Sequence, residues 1–133
     1  MTSLPVSRED RACWHTDCAV ISGGPESHHL TVWPYGCDGL TSSFMCSKPE
    51  TAHAYWRCLQ ANDIAGVGEI VRTHEVPYFD FVGELLGGWN PGYHASLELF
   101  GVAKRWRRKP YYSLNDAEIE VLAQFVKDRG ASH

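Results

Sequence analysis

The residues best equipped for chemistry gather in three places along the chain. Cys13-Trp14-His15-Thr16-Asp17-Cys18, with His28-His29 a short distance on, holds the residue types of a zinc site. Structural zinc sites usually present paired C-x2-4-C units, and the cysteine spacing here is irregular. Buried thiols packed as small apolar groups account for the pattern better, and no metal is expected. Cys46 and His53 can approach one another across a helix start, as a nucleophile and its base would. Nothing beside them except the helix N-terminus would lower the thiol pKa, so ordinary packing is expected. The run Lys104-Arg105-Trp106-Arg107-Arg108-Lys109 holds five of the twelve basic residues and suits a phosphate or an acidic partner. It is short and belongs to an acidic chain. A solvated loop, with arginine stems on Trp106 and charges paired to nearby carboxylates, is the expectation.

The composition bounds what such residues can serve. The chain has 133 residues, 44% of them hydrophobic, with five Trp, six Tyr and five Phe, which is enough apolar mass for one ordinary domain. A net charge of −4 argues against a general nucleic-acid binder. Residues 1–12 are polar and charged and lack the apolar stretch of a secretory signal. No run reaches the ~18 apolar residues of a membrane span. Five cysteines, an odd number, fit reduced thiols in a cytoplasmic protein better than a disulfide framework.

The elements that must carry these residues follow from local pattern. Residues 1–12 read as a flexible lead-in. The apolar run at residues 18–22 reads as a strand buried on both faces. Gly23-Gly24-Pro25 breaks it and opens a helix with Glu26 in the first turn, where a carboxylate suits the helix dipole. That helix carries Leu30, Val32 and Trp33 and ends near Pro34-Tyr35-Gly36. A second strand at residues 38–42 completes a βαβ unit with parallel strands. Ser47-Lys48-Pro49-Glu50 has the form of a capping box, and the helix after it sets Ala52, Tyr55, Trp56 and Leu59 on one face. Asn62-Asp63 caps a helix striped by Ile64, Val67, Ile70 and Val71 and continued by Phe79, Val82 and Leu86, with Pro77 kinking it or splitting it in two. Gly87-Gly88 ends that helix. Asn90-Pro91 opens another through Tyr93, Leu97, Phe100 and Val102. Ser113 or Asn115 caps the last, with Ile119, Leu122, Phe125 and Val126 inward and Gly130 as the stop.

The ordered series I-S-G-G-P-E, G-C-D-G-L-T-S-S, K-P-E, Q-A-N-D, N-P with L-E-L-F-G, and Y-S-L-N-D-A-E-I spans residues 18–130. In that order it resembles the C-terminal portion of the dihydrodipicolinate synthase and N-acetylneuraminate lyase group of class I aldolases. The resemblance implies an α/β fold: a C-terminal fragment of a (β/α)8 TIM barrel, its last two parallel strands, followed by a mostly helical extension. Residues 13–61 would be the barrel part and residues 62–133 the extension. It implies a lyase or aldolase acting on 2-keto acids such as pyruvate through a lysine Schiff base, without a cofactor. Gly23, Gly24, Glu26, Gly39, Thr41 and Ser42 would then bind the substrate at the strand ends, where barrels of this kind keep their active site. Pro25 stands where some sugar-acid lyases of the group carry an aspartate, a departure from an N-acetylneuraminate-like substrate.

The Schiff-base lysine and relay tyrosine of the group belong to strands outside the matched part. Lys48, Lys104, Lys109 and Lys127 fall at a helix start, in the basic loop and in the last helix, so none is placed to form an imine. No catalytic residue is therefore expected in this chain. A closed barrel takes at least about 200 residues, and two parallel strands leave both edges open. Those edges call for a homo-oligomer or a complementing N-terminal half. The reading from another class is a noncatalytic helical module that dimerises or docks through Trp56, Phe79 and Phe81. A small metal protein using the early Cys and His residues is the third.

Overall fold

The computed structural model describes residues 19–130, which form two compact units meeting between Val71 and Arg72. The fold is mixed α/β and mostly helical, with one small parallel sheet. No helix among the described residues is long and apolar enough to cross a membrane.

In the first unit β1 (Ile21–Ser22) and β2 (Gly39–Leu40) pair in parallel, Ile21 opposite Gly39 and Ser22 opposite Leu40. Helix α1 (Glu26–Val32) and a 3-10 turn (Trp33–Tyr35) connect them. Gly36, at φ 93°, ends that turn in the left-handed region that suits glycine, and the chain reverses into β2. Both strands are shorter than the runs at residues 18–22 and 38–42 suggested. Ile21 is also exposed rather than covered on both faces. One neighbour per strand gives only a few ladder hydrogen bonds, and local groups complete the rest. Val20 N donates to Asp38 Oδ2 at 2.9 Å, and the Cys37 thiol donates to Gly39 O at 3.0 Å.

Helices α2 (Pro49–Gln60) and α3 (Ile64–Ile70) complete this unit. The S-x-x-E capping box does not form. Lys48 is the N-cap of α2 with no side-chain bond, because Ser47 N is drawn into a turn with Phe44 O at 3.0 Å and Pro49 sets the first helical φ. Asp63 does cap α3, its Oδ1 accepting from Gly66 N at 2.9 Å. Tyr55, Leu59 and Val67 are the buried centre, joined by Leu30, Trp33, Leu40 and Trp56. Val67 packs on Tyr55 and Leu59, which places α3 in the same unit as the strands.

A π-helical stretch (Val71–Glu75) leads out of the first unit into the second and precedes α4 (Val76–Glu84). The pattern around Pro77 is split in two and not kinked as one continuous α-helix. Pro77 sits in the first turn of α4, where its missing N–H is no loss, and the wider π turn carries the irregularity. Helices α5 (Trp89–Leu99) and α6 (Asp116–Gly130) pack with α4 around Val82, Ala95, Leu114 and Leu122. Gly92 is dictated by that packing, since a Cβ there would lie 2.8 Å from Val82 Cβ. Phe81 and Phe125 stack with centroids 4.0 Å apart. Trp56, Phe79 and Phe81, the aromatics of the docking-module reading, are thus packed against their own units' cores.

The basic loop differs from a wholly solvated one, because Arg105 is buried. Its Nε donates to Leu114 O at 2.9 Å and its guanidinium pairs with Glu98 and Asp116. Asn115, not Ser113, caps α6. Asn115 Oδ1 accepts from Glu118 N at 3.0 Å and Glu118 Oε2 accepts from Asn115 N at 2.7 Å, a reciprocal capping box. Ser113 Oγ instead accepts from Arg107 N at 2.7 Å.

Candidate functional site

The C-terminal ends of β1 and β2 bring the oxygen-bearing residues together. Ser22 O accepts from Thr41 N at 2.9 Å and from Thr41 Oγ1 at 3.2 Å, which locks one strand end to the other. Gly39 lies against Ile21 across the pair, where a Cβ would come within 3.2 Å of Ile21 Cδ1. Gly24 leaves room for His28, whose Nδ1 would be 2.6 Å from a Cβ at that position. Gly23 faces open space and carries no such demand. Thr41 is exposed and Ser42 half-buried at the mouth of this region.

Glu26 is the centre of it. The residue is the first of α1, yet its side chain is fully buried and not turned to solvent as a first-turn carboxylate would be. Ser42 Oγ donates to Glu26 Oε1 and accepts from Phe44 N at 3.1 Å, so the serine bridges α1 to the loop after β2. Glu26 Oε2 is buried and has no hydrogen-bond partner among the described residues. A buried carboxylate oxygen without a donor is costly, and such an atom marks either strain or a ligand position.

A second chain of bonds starts at the same residue. Tyr55 O–H donates to Glu26 O at 3.0 Å, and Tyr55 Oη lies 2.9 Å from His29 Nδ1. A carbonyl can only accept, so the single phenolic proton goes to Glu26 O. His29 must then carry its proton on Nδ1 and donate it to Tyr55, leaving Nε2 as a bare lone pair. That Nε2 is also buried and without a partner among the described residues. Trp33, Tyr55 and Trp56 surround the imidazole with ring centroids 5.5, 5.8 and 6.2 Å away. Burial, with the nearby His28 charge adding to it, holds the His29 pKa below its ordinary value. The ring is neutral near pH 7.

This geometry can hold polar groups, but it assembles no nucleophile. The proton of Ser42 goes to Glu26 and that of His29 to Tyr55, and no hydrogen bond joins Ser42 to His29 among the described residues. Cys46 is an exposed thiol and His53 is exposed as well, with no hydrogen bond between them among the described residues. Lys48 precedes α2, and Lys104, Lys109 and Lys127 are exposed, so no described lysine stands at a strand end. The early Cys13 to Cys18 cluster lies outside the described residues. Within them no three Cys, His, Asp or Glu side chains gather as a metal site would require.

His29 and Tyr55 are the residues that pattern-reading did not put in the site. Tyr55 reads as an apolar-face aromatic of α2, which it is, but its hydroxyl is the bridge. The usable signal was the Glu26/His29 spacing of i and i+3, which puts both on one face of α1. Comparison of the chain with protein-family models, characterised proteins and solved structures found no match.

Proposed function

We propose that this chain supplies the substrate-positioning strand ends of a Schiff-base lyase acting on 2-keto acids, of the dihydrodipicolinate synthase and N-acetylneuraminate lyase kind. The amine that attacks the keto carbon comes from a complementing polypeptide, and this chain alone is catalytically silent. The observation that supports the reading is the parallel β1-α1-β2 arrangement that ties Glu26 to Ser42 beyond its strand ends. In α/β architectures with parallel strands, ligands sit at the carboxyl ends of the strands. The strands also have one neighbour each among the described residues, which leaves an edge on either side for further strands.

In this role Thr41, Ser42 and the backbone around Gly23, Gly24 and Gly39 surround the keto acid. Glu26, bonded to Ser42, fixes the loop after β2. The test is borohydride trapping of pyruvate, read by intact mass. The chain alone is expected to gain no adduct, and mixing it with a polypeptide that carries strands and a buried lysine is expected to restore trapping on that partner. A covalent adduct on the isolated 133-residue chain overturns the proposal.

A further inference from the structure

We infer that the loop between α5 and α6 is a binding site for a nucleotide unit, a planar base with its phosphate, presented singly or in a single strand. The site lies wholly in the second unit and is independent of the strand-end proposal. Its base platform is Trp106, which is 63% exposed although the loop that carries it is firmly held. One face of the indole is covered by the Arg105 guanidinium, 4.4 Å from the ring centroid. That cation cannot swing away. It is fixed by Leu114 O, by Glu98 and by Asp116, and its own backbone N donates to Glu98 Oε2 at 2.9 Å. A second ring repeats the arrangement a few residues on. Tyr111, also 63% exposed, has the Arg107 guanidinium 4.8 Å from its centroid.

The cations around these rings are available. Arg105 is the member of the basic run neutralised by carboxylates and Lys104 acts on the same Glu98, while Arg108 and Lys109 are exposed and have no ion-pair partner among the described residues. The loop is also preorganised: Arg107 N donates to Ser113 Oγ at 2.7 Å and Tyr111 N to Arg108 O at 3.1 Å. Little ordering is therefore left for a ligand to drive. An acidic peptide would use the lysines and arginines but has no use for two rings held with a face open. A base stacks on such a face, an arginine behind the ring strengthens its hold on the loop, and phosphates take the neighbouring cations. The whole-chain charge of −4 excludes broad attraction to polyanions, not a local site of this size.

The test is fluorescence anisotropy of a labelled oligo-uridylate with the full chain, in low and in physiological salt. Binding is expected, weaker in higher salt, and weakened about 5- to 150-fold by Trp106→Ala, the range for loss of one stacked base. Trp106→Phe, which keeps an aromatic face over Arg105, should retain most of the affinity and guards against a folding defect. Arg108→Ala with Lys109→Ala should weaken binding and flatten the salt dependence. Lys127→Ala, on α6, should leave it unchanged. Competition by uridine monophosphate at concentrations that spare the complex identifies a strand as the ligand; full competition at low concentration identifies a mononucleotide. Either outcome supports the site. It is overturned by the absence of binding, by polyglutamate competing as well as RNA, or by equal affinity in folded Trp106→Ala and the parent chain.

Discussion

The two units solve the burial of polar groups in opposite ways. The first runs a polar spine through its centre: Ser42 to Glu26, Glu26 O to Tyr55, and Tyr55 to His29, with two acceptor atoms left over. The second keeps its centre apolar around Val82, Leu114 and Leu122, and the cation it buries beside that centre, Arg105, is fully paired with Leu114 O, Glu98 and Asp116. Both contain buried hydroxyls, but in the second unit they close on themselves. Ser96 Oγ donates to Gly92 O at 3.1 Å and so receives the proton of Tyr78 at 2.8 Å, with no acceptor stranded. Incomplete satisfaction is a cost that packing alone does not explain. The contrast is between a unit whose polar centre leaves two acceptors open and a unit whose centre closes on itself among the described residues.

The largest effect should come from emptying the apolar centre. Leu122→Ala is expected to destabilise by about 2–5 kcal/mol, the range for a fully buried leucine. Peptide-resolved amide exchange should show the loss on α4, α5 and α6. Equal loss of protection across β1 and β2 would mean that the units do not behave as separate cores, and the comparison would break there.

Next is the spine. Tyr55→Phe keeps the ring and removes the oxygen that serves both Glu26 O and His29 Nδ1, leaving a buried acceptor and a buried donor. A loss of about 1–3 kcal/mol is expected, because the groups are stranded rather than removed. Chemical denaturation measures it. A neutral result would show that Tyr55 contributes by packing alone.

Titration separates the units by sign. The folded-state pKa of His29 is lowered, so its contribution is complete above the ordinary value of 6.5 and is lost as pH falls through it. Protection in α1 and α2 should therefore decline as pH falls below 6.5 toward the lowered folded-state value. The Tyr78 pKa is pushed up to about 12, chiefly by burial, so its contribution is complete below 10 and is lost as pH rises toward 12 in the second unit. Exchange profiles of α1 and α2 that stay flat in acid would falsify the buried neutral imidazole.

How far these contrasts were legible in the residues depends on whether local chemistry or tertiary geometry decides them. The order of elements was readable, because Gly36, Asp63, Gly87 and the periodicity of Leu59, Val67 and Leu122 are local signals. The strand lengths were not, since a β-prone run lengthens only where a neighbour pairs with it. The capping box at Ser47 failed for the same reason: its turn with Phe44 satisfies the backbone another way. At the strand ends, the meeting of Glu26 with Ser42 followed from the βαβ order. His29 and Tyr55 did not, because 26 residues separate them and only the docking of α2 on α1 makes them partners. Arg105 stands among five basic residues of one run, and sequence alone offers nothing to single out the buried one.

The smallest effect tests whether the second unit's ends are as self-contained as its centre. Asn115→Ala removes the acceptor of Glu118 N, one of the two reciprocal bonds that start α6, while leaving the Asn115 N–H bond to Glu118 Oε2, Leu114 and the Arg105 cluster in place. Loss of an N-cap of this type costs about 1 kcal/mol. Since Tyr112 O–H also donates to Glu118 Oε2 at 2.6 Å, the glutamate stays anchored, and the loss should fall on the first turn of α6 rather than on the whole helix. Amide exchange at residues 116–119 should rise with little change at Leu122. Uniform loosening of α6 would instead make the cap, and not the apolar centre, the element that holds this helix, and would erase the distinction between a closed apolar unit and an open polar one.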